Sequence, residues 1–245
     1  MSKLYFYYGT VCSSKTLNLL AVYKNYEVQG RKAILIRPEL DTRSNDIESR
    51  AGLKATPDIN IGKNKSITES IINYFNNNNI EPDKISKSIE CVIVDECQFL
   101  TVDQLKELRK ISIELNLEFK SSINNDTNKI VYNYKEYSKK EIEHDKKFEC
   151  YRSDDKVKIS FPVMCYGLRT TSEGVLWDSS AFLMAQADEL HEIKTICSFC
   201  NKRAVFSAIN PEKKKSSTDG KLVNPSWGYY IPVCPKHFFE INESE

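Results

Sequence analysis

Apolar positions in this chain fall into short runs separated by helical stripes. The run from Lys3 to Tyr8 is apolar and aromatic and stops at Gly9, which predicts a buried strand. Leu17, Leu19, Leu20, Val22 and Tyr23 then recur among polar residues as far as Gly30, the pattern of an amphipathic helix after Lys15 with a glycine stop. Ala33-Ile34-Leu35-Ile36 predicts a second strand, closed by Pro38. A polar stretch from Asp41 to Lys65 precedes a helix around Thr68 to Tyr74. Cys91-Val92-Ile93-Val94 predicts a third strand that runs directly into Asp95-Glu96. Leu105, Leu108, Ile111 and Leu115 keep one helical stripe, and Phe161 to Tyr166 predicts a fourth strand ending at Gly167. A helix from about Ser179 to Ala187 and a strand near Glu192 to Ile196 complete the alternation. Strands alternating with helices specify an α/β fold, a mostly parallel sheet covered on both faces.

Two regions leave this pattern. From Glu118 to Ser160 the chain is rich in Lys, Glu, Asp and Asn and keeps no period. Ordering a residue costs about 1–2 kcal/mol of backbone entropy, and burial returns only about 25 cal/mol per Å². The scattered Ile123, Ile130, Val131, Tyr132 and Phe148 do not offset that cost, so the segment reads as a surface insertion, mobile or weakly hairpin-like. From Cys197 onward the chain is cysteine-bearing and loop-rich, and reads as a small module. The expected organisation is an α/β unit over 1–195, with the insertion at about 118–160, and a module over 196–245.

Composition narrows the function. Lys+Arg is 35 against Asp+Glu 34, a formal charge of +1. A duplex-DNA binder usually carries a large basic excess, so nucleic acid is disfavoured as a partner, and the Lys213-Lys214-Lys215 run reads as a solvated face. No apolar run approaches the roughly 20 residues that span a bilayer, and the aromatic first residues do not read as an export signal. A cytoplasmic setting is therefore expected, in which the 8 cysteines are thiols or metal ligands rather than disulfides.

Candidate chemistry sits at two strand ends and one cysteine module. Gly9-Thr10-Val11-Cys12-Ser13-Ser14-Lys15-Thr16 follows a strand and opens a helix, as a phosphate-binding loop does, but Ser14 stands where the pattern has glycine. In such a loop, backbone N–H groups and the helix dipole hold an anion, Lys15 neutralises phosphate charge, and Thr16 offers a hydroxyl to Mg²⁺. An ordinary strand-to-helix turn with a capping serine would look the same in isolation. A Cβ at Ser14 would cost about 1–2 kcal/mol if that residue must be left-handed. Asp95-Glu96 at the tip of an apolar strand supplies the second half of the site, Asp95 for the metal and Glu96 as a base. Cys197-Ser198-Phe199-Cys200 and Cys234-Pro235-Lys236-His237 form a C-x₂-C and C-x₂-H set, the Cys₃His ligands of a tetrahedral structural Zn²⁺.

These residues together resemble the type II thymidine kinases. The Gly9–Thr16 loop, Asp41-Thr42-Arg43, Asp95-Glu96-Cys97-Gln98-Phe99 and the zinc module carry the resemblance. Ser49-Arg50-Ala51-Gly52 and the Pro162–Thr170 segment are similar to the bacterial and phage branch in particular. The resemblance implies a P-loop kinase-like fold with a zinc-ribbon-like lasso domain. It implies transfer of the ATP γ-phosphoryl group to the 5′-hydroxyl of thymidine, with deoxyuridine as a second candidate substrate, and a homotetramer. It places Gly9, Thr10, Val11, Cys12, Ser13, Ser14, Lys15, Thr16, Arg43, Asp95 and Gln98 on the nucleotide side, with Thr16 and Asp95 also on Mg²⁺. Glu96 becomes the catalytic base. Phe99, Cys165 and Tyr230 line the nucleoside site, under a lasso of about Leu222 to Val233. Departures are Ser14, the Thr171-Ser172 pair where an aspartate and a phenylalanine are expected, and Asn224-Pro225-Ser226 in the lasso. An alternative reading is a degenerate homologue that binds nucleotide, does little chemistry and acts as a regulator or scaffold.

Overall fold

The computed structural model describes residues 2–41, 45–124, 129–136, 156–214 and 228–243. The chain runs β1 (Leu4–Gly9), α1 (Lys15–Val28), β2 (Ala33–Pro38), β3 (Ile47–Glu48), β4 (Lys54–Ala55), β5 (Ile59–Ile61), α2 (Ile67–Asn77), α3 (Ile85–Ser88), β6 (Cys91–Val94) and α4 (Val102–Ile113). It continues through β7 (Leu115–Asn124), β8 (Lys129–Glu136), β9 (Lys156–Ile159), β10 (Val163–Leu168), α5 (Asp178–Gln186) and β11 (Glu189–Glu192). The last elements are β12 (Phe206–Ile209), the single turn α6 (Pro211–Lys214), β13 (Tyr230–Val233) and α7 (Pro235–Glu243).

Six strands form one sheet in the order β11-β1-β10-β6-β2-β5. Every pairing in it is parallel. The two-residue period of a strand divides its side chains between two cores. Leu4, Phe6, Ile34, Ile36, Val92 and Val94 pack with residues of α2, α4 and α5 on one face. Ala33, Leu35, Cys91, Ile93 and Tyr166 pack with Leu19 and Leu20 of α1 on the other. All four residues of β6 are buried, as a central parallel strand requires. The flanking helices carry strong start signals. Ser66 caps α2 by accepting from Glu69 N, and Thr101 with Gln104 forms a capping box on α4. Gln104 Nε2 also donates to the Gly62 and Lys65 carbonyls at 2.9 Å each, tying α4 to the turn before α2.

Two expectations shift. The α4 stripe ends at Ile113, because Glu114 turns extended (φ −170°, ψ 120°) and Leu115 opens β7. Positions 111 and 115 satisfy both helical and strand periods, so Leu115 did not discriminate; buried Leu117, two residues on, does. The segment after it is a three-stranded antiparallel sheet in the order β8-β7-β9, whose base, Leu115, Leu117 and Ile159, is buried in the main core. Residues 125–128 and 137–155 of the insertion lie outside the described residues. The last strand of the main sheet is Glu189–Glu192 rather than Glu192–Ile196. It follows β1 in register from Tyr5–Glu189 to Tyr8–Glu192, Ile193 N adds one more bond to Tyr8 O, and there β1 turns away at Gly9.

Leu117→Ala is expected to cost about 2–5 kcal/mol, since the lost side chain leaves a void under the β7 base. Urea unfolding checks this: a lower midpoint with unchanged slope is the expected result. A midpoint within error of the parent would mean that the insertion sheet is not part of the core.

Candidate active site

In a parallel sheet all carboxyl ends lie along one edge, where α/β folds bind ligands. β1 leads there into Thr10–Ser14 and β6 into Asp95-Glu96, with β10 between them. The two segments touch: Thr16 Oγ1 donates to Asp95 Oδ2 at 3.4 Å.

The loop after β1 is tightly made. A Cβ on Gly9 would lie 2.5 Å from Ser13 Oγ and 2.6 Å from the Ile193 carbonyl, so only glycine fits where the chain folds back. Lys15 is buried, and its ammonium donates to the Thr10 carbonyl at 2.7 Å. Val11 N donates to Ser207 Oγ of β12 at 3.0 Å. Ser13 Oγ is buried and has no partner within the described chain. Cys12 and Ser14 are both left-handed, each at φ 62°. Arg50, between β3 and β4, points its guanidinium at Cys12 Sγ, 3.0 Å away.

The acidic turn after β6 is equally constrained. Asp95 is buried, and Glu96 is half-buried and left-handed at φ 46°. Among the described residues, four non-glycines have positive φ: Cys12, Ser14, Asn79 and Glu96. Three of them belong to these two loops, and strained backbone gathers where a site over-determines it. Gln98 is buried and engaged at both ends of its amide. Its Nε2 donates to Glu96 Oε2 at 2.5 Å, and its Oε1 accepts from Leu168 N at 3.0 Å. Ser179 and Ser180, at the start of α5, donate to the Gln98 and Leu168 carbonyls, which pins that helix to the same turn. A Cβ on Gly167 would lie 2.6 Å from Cys97 Sγ and 2.9 Å from Gln98 Oε1, so this glycine makes room for the turn. Burial pushes the Cys97 thiol well up, and the neighbouring Cys165, Glu96 and Asp95 push it further. It stays a protonated packing group beside Cys165, not a nucleophile. Phe99 is half-buried and meets Trp177 edge-on, centroids 5.8 Å apart.

The Cys₃His set converges. Ligand atoms of Cys197, Cys200, Cys234 and His237 lie within 4.8 Å of one another. Cys200 and Cys234 sulfurs are 3.8 Å apart, and His237 Nδ1 is 3.3 Å from the sulfurs of both Cys197 and Cys234. With Zn–S bonds of about 2.3 Å, the edge of a tetrahedron is about 3.8 Å, the spacing of the Cys200 and Cys234 sulfurs, so the chemistry and closeness of this donor set fit Zn²⁺. Burial alone would push the Cys197 thiol up; hydrogen bonds from the Phe199 and Cys234 backbones and from His237 outweigh it and bring it down to about 6. A thiolate at neutral pH is the form that binds metal. The knuckles close a small core of Ala208, Val233 and Phe238 under the β12–β13 ribbon.

Of the residues singled out in the sequence, Gly9–Thr16, Asp95, Glu96, Gln98, Phe99 and Cys165 lie at the sheet edge or directly beneath it. Tyr230 lies on β13, half-buried with its ring edge-on to Tyr229. Thr42, Arg43 and the lasso positions 222–227 lie outside the described residues. Sequence reading missed Ser207, Trp177 and Ser179, which make their contacts across more than 70 positions, and Ser180, whose partner Leu168 lies 12 positions away; no local pattern marks them.

A family model for thymidine kinases matches this sequence over residues 2–117 and 144–238. The chain belongs to the thymidine kinase family. The unmatched stretch between those blocks holds most of β7 and all of β8. A thymidine kinase of Zymomonas mobilis is 29% identical over 243 residues, covering 98% of this chain and 97% of its own. One from Francisella tularensis is 30% identical over 248 residues, covering 98% of both chains. One from Lactococcus lactis is 29% identical over 244 residues, with the same coverage. Thymidine kinases from three bacteria thus each align over 98% of this chain.

Two outcomes follow from the geometry. Ser14→Gly removes a Cβ from a left-handed position and is expected to stabilise the fold by about 1 kcal/mol, a rise in Tm of roughly 2–4 °C. A Tm equal to or below the parent's would show that Ser14 is not strained. Elemental analysis of purified protein is expected to give one zinc per chain, lost in a Cys197→Ser, Cys234→Ser double variant; full zinc in that variant would remove the metal from this cluster.

Proposed function

We propose that this family member transfers the γ-phosphoryl group of ATP to the 5′-hydroxyl of thymidine, with deoxyuridine as a second acceptor. The observation that carries the reading is the Thr16–Asp95 contact, which joins the phosphate-type loop to the acidic turn at one sheet edge. The residues fit a polyphosphate: a buried ammonium on Lys15, a buried Ser13 hydroxyl without a partner in the described chain, and the N-terminus of the 14-residue α1. Arg43 belongs to this side by resemblance. The Thr16 hydroxyl and the Asp95 carboxylate are the oxygen donors that a hard cation takes, and they would hold Mg²⁺. Bound magnesium neutralises charge on the phosphates.

Phosphoryl transfer depends on positioning and charge neutralisation more than on covalent chemistry. Glu96 takes the proton of the attacking hydroxyl, and its carboxylate is aimed by Gln98. Gln98, on the nucleotide side by resemblance, has this orienting task through its contacts with Glu96 and Leu168. Phe99, backed by Trp177, Cys165 beneath it, and Tyr230 on the ribbon form the nucleoside side. The zinc module over 196–245 carries the lasso, the α/β unit over 1–195 carries the phosphates, and the chain works in the cytoplasm as a homotetramer. No described helix is long and apolar enough to cross a membrane.

Turnover with purified protein, ATP, Mg²⁺ and a nucleoside panel tests the reading. Phosphorylation of thymidine supports it; ATP binding without transfer to any nucleoside would favour the regulator or scaffold. Glu96→Gln is expected to lower kcat by about 10²–10⁴-fold and to leave nucleotide affinity unchanged. Loss of nucleotide binding in that variant would contradict the role given to Glu96.

A further inference from the structure

One peptide unit of the loop is held from both sides. The carbonyl of Thr10 accepts from Lys15 Nζ at 2.7 Å, and the N–H of the next residue, Val11, donates to Ser207 Oγ at 3.0 Å. The carbonyl and the N–H of a trans peptide lie in one plane and point in opposite directions. Fixing the N–H therefore fixes where the carbonyl points, and with it the oxygen that steadies the lysine. Ser207 is buried, so water does not stand in readily for its hydroxyl.

Ser207 does not belong to the α/β sheet. It lies on β12, opposite Pro232 of β13. The Pro232 carbonyl accepts from Ser198 N, inside the first cysteine knuckle, at 2.9 Å. β13 ends one residue on, at Val233, and Cys234 of the second knuckle follows directly. The neighbouring Phe206 stacks on Phe238, next to His237, with centroids 4.2 Å apart. On the sheet side, Arg169 Nη2 donates to the Val205 carbonyl at 2.9 Å and its guanidinium lies over the Phe206 ring. A short series of contacts thus leads from the four metal-binding side chains through Ser207 to the Thr10–Val11 peptide and Lys15.

We propose that Ser207 is a positioning residue for Lys15, and that through it the metal-loaded ribbon sets nucleotide affinity. This rests on the kinase reading above, in which Lys15 meets the phosphates. The zinc then does more than hold a separate module: it fixes the register of β12 against β13, and so the height at which the Ser207 hydroxyl meets the loop. The contact lies on the phosphate side and acts on the nucleotide before any nucleoside is bound.

Calorimetric titration with MgADP, without nucleoside, tests this in the full-length protein. Ser207→Ala is expected to weaken MgADP about three- to tenfold, the worth of one hydrogen bond that positions a charged group. Ser207→Thr, which keeps the hydroxyl, is expected to bind MgADP within about twofold of the parent. The KM for ATP rises with the alanine variant, while the KM for thymidine does not, and zinc content stays at one per chain. Stripping zinc from the parent with a chelator is expected to weaken MgADP at least as much. Stripping it from Ser207→Ala adds little, because both act through the same bond. MgADP affinity unchanged in Ser207→Ala, or unchanged on zinc removal from the parent, overturns the proposal while leaving the kinase reading intact. A parent protein that binds no MgADP at all overturns both.

Discussion

The site depends on the ladder β1-β10-β6, three parallel strands buried on both faces. Nothing local would hold Gly9, Asp95 and Leu168 side by side; they are distant in sequence, and each strand ends where it does because its apolar run ends. The ladder also absorbs strain. Cys12, Ser14 and Glu96 sit in the left-handed region, at roughly 1–2 kcal/mol each. Fully burying one Leu, Ile, Phe or Val side chain is worth about 1.5–3 kcal/mol. Leu4, Phe6, Val92, Ile93, Val94 and Val163 are all fully buried in these strands. A few of them outweigh the strain of both loops, so the backbone can be held where the residues alone would not choose to be.

The ribbon is a different case. Its cluster contains five buried hydrophobic or cysteine residues, and two of them, Cys197 and Cys234, are candidate metal ligands. Ala208, Val233 and Phe238 cannot supply the burial that orders a four-strand-residue ribbon on each side. Structural zinc supplies about 10–16 kcal/mol of apparent binding energy in small peptides. Zinc on the Cys₃His cluster would therefore tie the order of β12 and β13, and any contact made from them, to the metal. The fold thus joins a large apolar core under the sheet edge to a small module whose closure rests on the Cys₃His cluster.

Much of this was legible in the sequence because its signals are local. A strand of Cys91-Val92-Ile93-Val94 ending in Asp95-Glu96, a glycine-to-lysine loop before an amphipathic stripe, and two paired knuckles each lie within ten residues or fewer. The parallel, two-faced sheet follows from the alternation of such segments. What was not legible comes from long-range geometry. Leu115 fits a helix and a strand equally, so the start of β7 is decided by the packing of Leu117 and Ile159. Strand β11 is cut short by the turn at Gly9, not by its own residues, and the apolar Ile193 and Ile196 mislead. Ser207 looks like any ribbon serine until it meets Val11, 196 positions away. Thr171-Ser172 stands where an aspartate and a phenylalanine are expected, and Trp177, just before α5, supplies an aromatic edge to Phe99 that no local pattern marks.

In the proposed reaction, with Glu96 as base, Gln98 is the partner that aims it. Its amide cannot turn over: a flip would set the NH₂ against the Leu168 N–H and the oxygen against the Glu96 carboxylate, exchanging two attractions for two repulsions. The orientation is therefore set by the backbone N–H of Leu168, the last residue of β10. A carboxylate has about four acceptor positions, and the bond from Gln98 aims Glu96 while using one of them. An ammonium or guanidinium in the same place would aim the carboxylate too, but would compete for the proton-accepting role by tying up charge. A neutral, non-rotating donor gives orientation without that competition, and in a reaction governed by positioning, orientation is the larger effect.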